Sequence, residues 1–407
     1  MDEKYKYSDF FDKYIKPEDL TIEKLNEINN DSYISILHNI KIIDDIFENF
    51  IENKFEKDKY NEKDYWSDSI SEVFFKKYGL DNYNLIPSLD DNNKQKLRKN
   101  IPYPIINGSI FINDNTDIGQ IEFTPLYYGI PSIIKYNDKI IGNNYCDPLG
   151  FCAVNDKNIN DIITQSNNTI IKIKEINNKI SINKQSSISS NAISVPLQYH
   201  TSNKIYDLLD FSFFNYFDYN SNYFNNNMRV TDGALYDNIG LLSLLRRKVN
   251  KIILTNPSSF NVNNLSTDIK KSMIGDIAGY FGIGSFENTY YGQSQEDYNR
   301  YRKVFKEDKW IEFTRLLKDK IDKKESIVFE MVLEVLENKY NGVNGNYNVT
   351  ILFILLDKCN WIDKLPLDSK NLINKTSNNI IEEFLETARY QNKNLKDFYF
   401  DEGSYAG

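Results

Sequence analysis

A chain of 407 residues with 41% hydrophobic and 26% charged residues has the composition of a globular protein, long enough to bury a large core. Its net charge of −9 argues against nucleic acid as a partner, because phosphate neutralisation dominates that affinity. Three cysteines without a Cys-x-x-Cys, and two histidines, His38 and His200, not at ligand spacing, call for no disulfide framework, no metal site and no cofactor.

In chain order, Met1-Asp2-Glu3-Lys4 opens no apolar leader. The first hundred residues read as helical. Ile34, Leu37, Ile42, Ile46, Phe50 and Ile51 keep a helical period, and Ser67-Asp68 looks like a second helix start. From Pro104 the period changes to that of strands, Ile105 to Ile112 and Gln120 to Thr124. Ile170 to Ile182 alternates around Asn177-Asn178, as a peripheral hairpin does. Residues 265–340 read as helical again, most clearly Ile269 to Phe281 and Trp310 to Tyr340. Asn348 to Leu356 is a continuous apolar strand, and the last forty residues are polar and helical. The longest apolar run, Val349 to Leu356, is too short to span a bilayer.

The most informative stretch is 228–254. Val230-Thr231 ends an extended segment, Asp232-Gly233 makes a turn, Asn238 to Lys248 has a helical pattern, and Ile252 to Thr255 is β-branched. Strand, turn, helix and strand predict a βαβ crossover in a parallel sheet. Asp232 then sits at the carboxyl end of a strand, where open α/β sheets place working residues. The plain alternative is an aspartate that starts a turn, with Gly233 supplying a positive φ.

Asp232-Gly233-Ala234 resembles the Asp-Gly-Gly/Ala motif of patatin-like and cytosolic phospholipase A2-like acyl hydrolases, and Asp237-Asn238-Ile239-Gly240 resembles the segment after it. Pro102-Tyr103-Pro104-Ile105, the run Ile121 to Gly129, the small-residue stretch Ser189 to Ser194 and Asn215-Tyr216-Phe217 follow in the family's order. Tyr7 to Ile28 resembles the region just after the nucleophile. The resemblance implies a three-layer α/β fold with a largely parallel central sheet, N-terminal helices and a helical tail. It makes residues 1–407 one incomplete domain: 1–100 mainly helical, 101–360 the sheet-containing core, 361–407 the tail. It also implies hydrolysis of phospholipid or lysophospholipid acyl esters at a serine–aspartate dyad, in a cytoplasmic protein able to meet membranes peripherally. Asp232 would polarise the serine hydroxyl, which attacks the ester carbonyl and forms an acyl-enzyme that water then opens. Gly233, Ala234 and Asn238 would support the motif, and Glu122 and Thr124 would line the neighbouring strand end. A place for Asp232 mid-helix or on an antiparallel hairpin would end the hydrolase reading.

Two elements of that chemistry are not found. None of the 17 glycines belongs to a Gly-x-Ser-x-Gly elbow; Gly292-Gln293-Ser294 has only its first half. No Gly-Gly occurs to form an oxyanion loop. The sequence therefore reads as a hydrolase domain without its first hundred or so residues. Three functions remain open: an enzyme silent on its own, half of a split enzyme that needs a separate N-terminal chain, or a remnant that binds lipid or protein. A sheet left incomplete would expose apolar surface and associate.

Two further features have two readings each. Nine aromatics between Tyr206 and Phe224, among them Phe213, Phe214, Tyr216 and Phe217, suit either acyl-chain contact or a loop pinned to the core. Arg246-Arg247-Lys248 with Lys251 suits anionic headgroups or, more simply, the carboxyl end of a helix.

Overall fold

The computed structural model describes residues 16–27, 65–76, 103–113, 117–136, 138–148, 151, 159–165, 168–173, 180, 182–190, 212–218, 223–256, 275–283, 302–355 and 362–371. Short loops dominate the first half of its sheet. Strands β1 (Ile106–Asn113), β2 (Asp117–Phe123), β3 (Tyr128–Tyr136) and β4 (Lys139–Cys146) follow one another with two to four residues between them. Connections that short join only antiparallel neighbours, since a parallel return needs about a dozen residues. Strands β5 (Ile159–Gln165) and β6 (Asn168–Ile173) form a separate hairpin. Strands β7 (Ser212–Asp218) and β8 (Tyr223–Asp232) complete a six-stranded sheet in the order β4-β3-β2-β1-β8-β7. Every pairing in it is antiparallel.

This corrects the expectation of a largely parallel sheet. Strand β9 (Lys251–Asn256) does not lie beside β8. It joins β10 (Ile327–Val335) and β11 (Tyr347–Leu355) in a three-stranded sheet of order β10-β11-β9, where β9 and β11 run parallel. The chain between β8 and β9 is too broken to be one crossover helix. It holds a short α4 (Ala234–Asp237) and a separate α5 (Leu241–Arg246), divided by Gly240 in the left-handed region at φ 71°. A side chain rarely adopts that φ.

Earlier in the chain lie α1 (Ile22–Glu27), α2 (Tyr65–Ile70) with a π-helical turn Ser71–Phe75 after it, and α3 (Ile182–Ser189). α6 (Gly275–Tyr280) and α7 (Lys309–Asp322) follow β9. The fold is thus mixed α/β, with helices in the first hundred residues as expected. The helical period at 34–51, the turn Asn177-Asn178 and most of the last forty residues fall outside the described residues, although 362–364 and 367–371 are helical. Two other expectations change. Residues 182–189 are helix rather than the end of a hairpin, and the hairpin lies one strand earlier. Ile327 to Val335 is a strand inside a stretch read as helix. Its alternate residues Ile327, Phe329, Met331, Leu333 and Val335 are buried, but Val328 and Val332 point outward and hide the period of two.

Apolar burial separates into two cores. One joins Ile110, Ile121 and Phe123 to Tyr128, Val230 and Ile188 of α3. The other joins the inner face of the three-stranded sheet to α5, α6 and α7 and to Phe111 and Ile118 on the opposite face of the first sheet. Trp310 and Phe313 stack at 5.0 Å, and Phe313 meets Phe329 and Phe353 edge-on. Helix α5 therefore lies between the two sheets.

A buried charge cluster fastens α5 to the first sheet. Glu122 is fully buried on β2 and accepts from Arg246 and, at 2.7 Å, from Arg247. Arg246 also donates to Gln120 at 2.6 Å and to the Asn341 carbonyl at 3.1 Å, while the Tyr145 hydroxyl reaches Glu122 at 3.1 Å. Burial alone would raise the Glu122 carboxyl, but the two guanidiniums outweigh it and hold it down at about 2. Of the two earlier readings of the basic cluster, the helix-end one holds: Arg246 closes α5, and Arg247 follows it and donates to the Ser243 carbonyl at 2.7 Å. Both arginines are also partners of a buried carboxylate rather than a surface for headgroups. Lys248 and Lys251 remain exposed.

Candidate functional site

Asp232 is the last residue of β8, paired with Gly108 of β1, and the chain turns at Gly233 directly into α4. Gly233 permits a close approach here: a Cβ would come within 2.7 Å of the Asn107 carbonyl oxygen. Asp232 is 7% exposed. Its Oδ1 accepts from the Ala234 N–H at 2.6 Å, its one hydrogen bond among the described residues. No cation faces it within that set. Burial therefore pushes its carboxyl up from 3.8 to about 6, opposed only by the Ala234 N–H.

The turn around it is held on several sides. The Tyr236 N–H donates to Ser109 at 3.1 Å, and the Tyr236 hydroxyl donates to Asn341 at 2.6 Å. Asp237 is buried and accepts from the Gly240 N–H at 3.1 Å, the Leu242 N–H at 2.9 Å and the Tyr280 hydroxyl. It thus caps the start of α5 from outside the helix. Burial is the largest influence on its carboxyl and raises it, against the pull of these donors. Ser243 donates to Asn107 at 2.9 Å, tying α5 to the first residues of β1.

These elements wall a cleft of roughly 580 Å³. Ile105, Ile106 and Asn107 form one side, the turn from Asp232 to Gly240 another, and Ser186, Ser189 and Ser190 at the end of α3 a third. The volume suits a small ligand or one end of a larger one. The Ser190 hydroxyl donates to the Ser187 carbonyl at 3.4 Å, whereas the side-chain hydroxyls of Ser186 and Ser189 make no hydrogen bond among the described residues. The cleft thus combines a carboxylate with a proton affinity near neutrality, two serine hydroxyls and an apolar wall. Such a carboxylate can take a proton from a bound hydroxyl or water.

Asp232, Gly233, Ala234 and Asn238 all line the cleft. The structure separates the others from it. Glu122 is consumed by Arg246 and Arg247. Thr124 holds a tight turn, its hydroxyl donating to the Tyr127 carbonyl at 2.7 Å and accepting from the Tyr127 N–H at 3.0 Å. Tyr216 is buried in the first core, with its hydroxyl at Asn144 and Asp218. The side chains of Phe213, Phe214 and Phe217 fall outside the described residues; their backbone lies on the edge strand β7. His38, His200 and Ser294 also fall outside. Ser186, Asn107 and the capping role of Asp237 were not foreseen. Ser186 carried a faint signal, three residues before Ser189 and so on the same helix face. Asn107 carried none.

Strand β8 runs antiparallel to both β1 and β7. Asp232 thus ends the second strand of the antiparallel hairpin β7–β8, the placement set above as the end of the hydrolase reading on fold grounds, and only the local geometry of Asp232 is left to bear on function. Among the described residues, no group of three or more His, Cys, Asp and Glu is placed to hold a metal, and no helix is long and apolar enough to cross a membrane. Comparisons with family models, curated proteins and solved structures give no match.

Proposed function

We propose that the Asp232 cleft is the aspartate half of a lipid acyl-ester hydrolase site, of the phospholipase A or lysophospholipase type. The carrying observation is a carboxylate that ends a strand, faces a cleft without a cation and is pushed up to about 6 by burial. The Asp-Gly-Ala turn and the serine-bearing helix opposite it support the same reading. The second reading is a cleft that binds an ester lipid without turning it over. It is favoured by the antiparallel setting of β8, and by the absence of any described serine within hydrogen-bond reach of Asp232.

Purified chain is expected to release no fatty acid from labelled phospholipid or lysophospholipid above background. A missing oxyanion donor alone costs roughly a hundred- to a thousand-fold in rate, and no elbow serine is present. Adding a separately expressed fragment that carries a Gly-x-Ser-x-Gly elbow then divides the readings. Restored release, lost again in Asp232→Asn, supports the hydrolase. Continued silence with lipid binding retained supports the binding cleft. Release by the chain alone that disappears in Asp232→Asn would overturn its predicted silence, and would direct attention to Ser186 and Ser189. Neither release nor lipid binding would overturn both readings.

A further inference from the structure

The outer face of the three-stranded sheet is unlike an ordinary solvent face. Alternation buries one side of each strand and turns the other outward. On the outward side sit Ile253, Val328, Val332, Leu352 and Ile354, with Ile253 69% and Val332 57% exposed. The register places them in cross-strand rows: Glu330, Leu352 and Ile253 in one, and Val332, Thr350 and Lys251 in the next. Two unlike charges thus lie on opposite outer strands, Glu330 on β10 and Lys251 on β9. Neither has an ion-pair partner among the described residues. Glu334, also on β10, is paired with Lys306.

We propose that this face binds a second copy of the chain, sheet upon sheet, about a two-fold axis parallel to the strands. That operation keeps position along the strands and exchanges left for right. Strand β10 of one copy then lies over β9 of the other, and β11 lies over β11. Lys251 lands above Val332, one two-residue step of about 6.6 Å from Glu330, a distance its flexible stem can bridge. The pairing occurs twice, because a two-fold contact uses the same patch on both copies. Like charges do not meet, and the apolar rows interdigitate at the usual sheet-to-sheet distance of about 10 Å.

The patch is small. Three strands about 4.8 Å apart and some eight residues long cover roughly 350 Å² per copy. Stable interfaces bury about 800 Å² per partner, so the dimer exchanges rapidly and forms on the order of 10–100 µM.

The test is sedimentation velocity of the full chain across that concentration range, with circular dichroism as the control for folding. Wild type is expected to move from monomer to dimer. Lys251→Glu and Glu330→Lys should each weaken dimerisation at least tenfold. The double variant, which swaps the charges, should return to within about threefold of wild type. Both positions are exposed at the sheet surface, so the single variants should keep the wild-type spectrum. A chain that stays monomeric throughout overturns the proposal. So does a dimer indifferent to both substitutions, or two single losses that add without rescue in the double variant.

Discussion

Glu122→Gln is expected to destabilise the protein by about 3 kcal/mol at neutral pH, judged from a carboxyl held at about 2 instead of 4.5. The substitution keeps the shape and some hydrogen bonds, but leaves Arg246 and Arg247 without their counter-charge. Removing one partner of a buried ion pair costs roughly 3–5 kcal/mol for this reason. The pH dependence has a definite sign. A carboxyl whose pKa is lower in the folded state contributes stability above its unfolded value and loses it as pH falls. Wild type and variant should therefore differ fully above about pH 4.5 and converge towards pH 2. Urea titrations at several pH values measure this. A difference under about 1 kcal/mol at pH 7 would mean that the cluster is solvated and does not fasten α5 to the first sheet.

Asp232→Asn is expected to do the opposite. Its carboxyl is raised from 3.8 to about 6, so ionising it in the fold is unfavourable. Wild-type stability should fall as pH rises from about 4 to 6, and the loss should persist above that. The asparagine oxygen still accepts from the Ala234 N–H, so the turn is kept and only the charge is removed. Asp232→Asn should be about 2–3 kcal/mol more stable than wild type at pH 7.5, and equal to it below pH 4. The turn alone would be served better by asparagine. A charge kept where it destabilises the fold is a common mark of a functional group. Equal stability of the two proteins across pH would leave Asp232 as a turn residue and no more.

How much of this was legible beforehand differs from element to element. Ile105 to Ile112, Gln120 to Thr124 and Asn348 to Leu356 announced their strands by composition and period; the first and last lie within a residue of their strands, and the second strand starts three residues earlier, at Asp117. Val230-Thr231-Asp232 announced a strand end and a turn, and the turn is there. The direction of the sheet was misread because a strand–helix–strand pattern does not say which strand lies next to which. The short loops from β1 to β4 carried that information and imply antiparallel pairing. The role of Glu122 was illegible for another reason. Its partners lie 124 and 125 residues away in sequence, and a carboxylate at the end of a strand looks the same whether it faces a cleft or two arginines. Tyr216 illustrates the same limit: an aromatic in a polar stretch fits a ligand wall or a core, and here burial decides for the core.

Asp232 as an uncompensated carboxylate is open to direct measurement. Its carboxyl carbon can be followed by NMR in the full chain labelled at aspartate, with Asp232→Asn identifying the signal by its loss. An apparent pKa near 6 is expected. A value near 3.8, the ordinary aspartate range, would contradict the proposal that this cleft holds a base poised for chemistry.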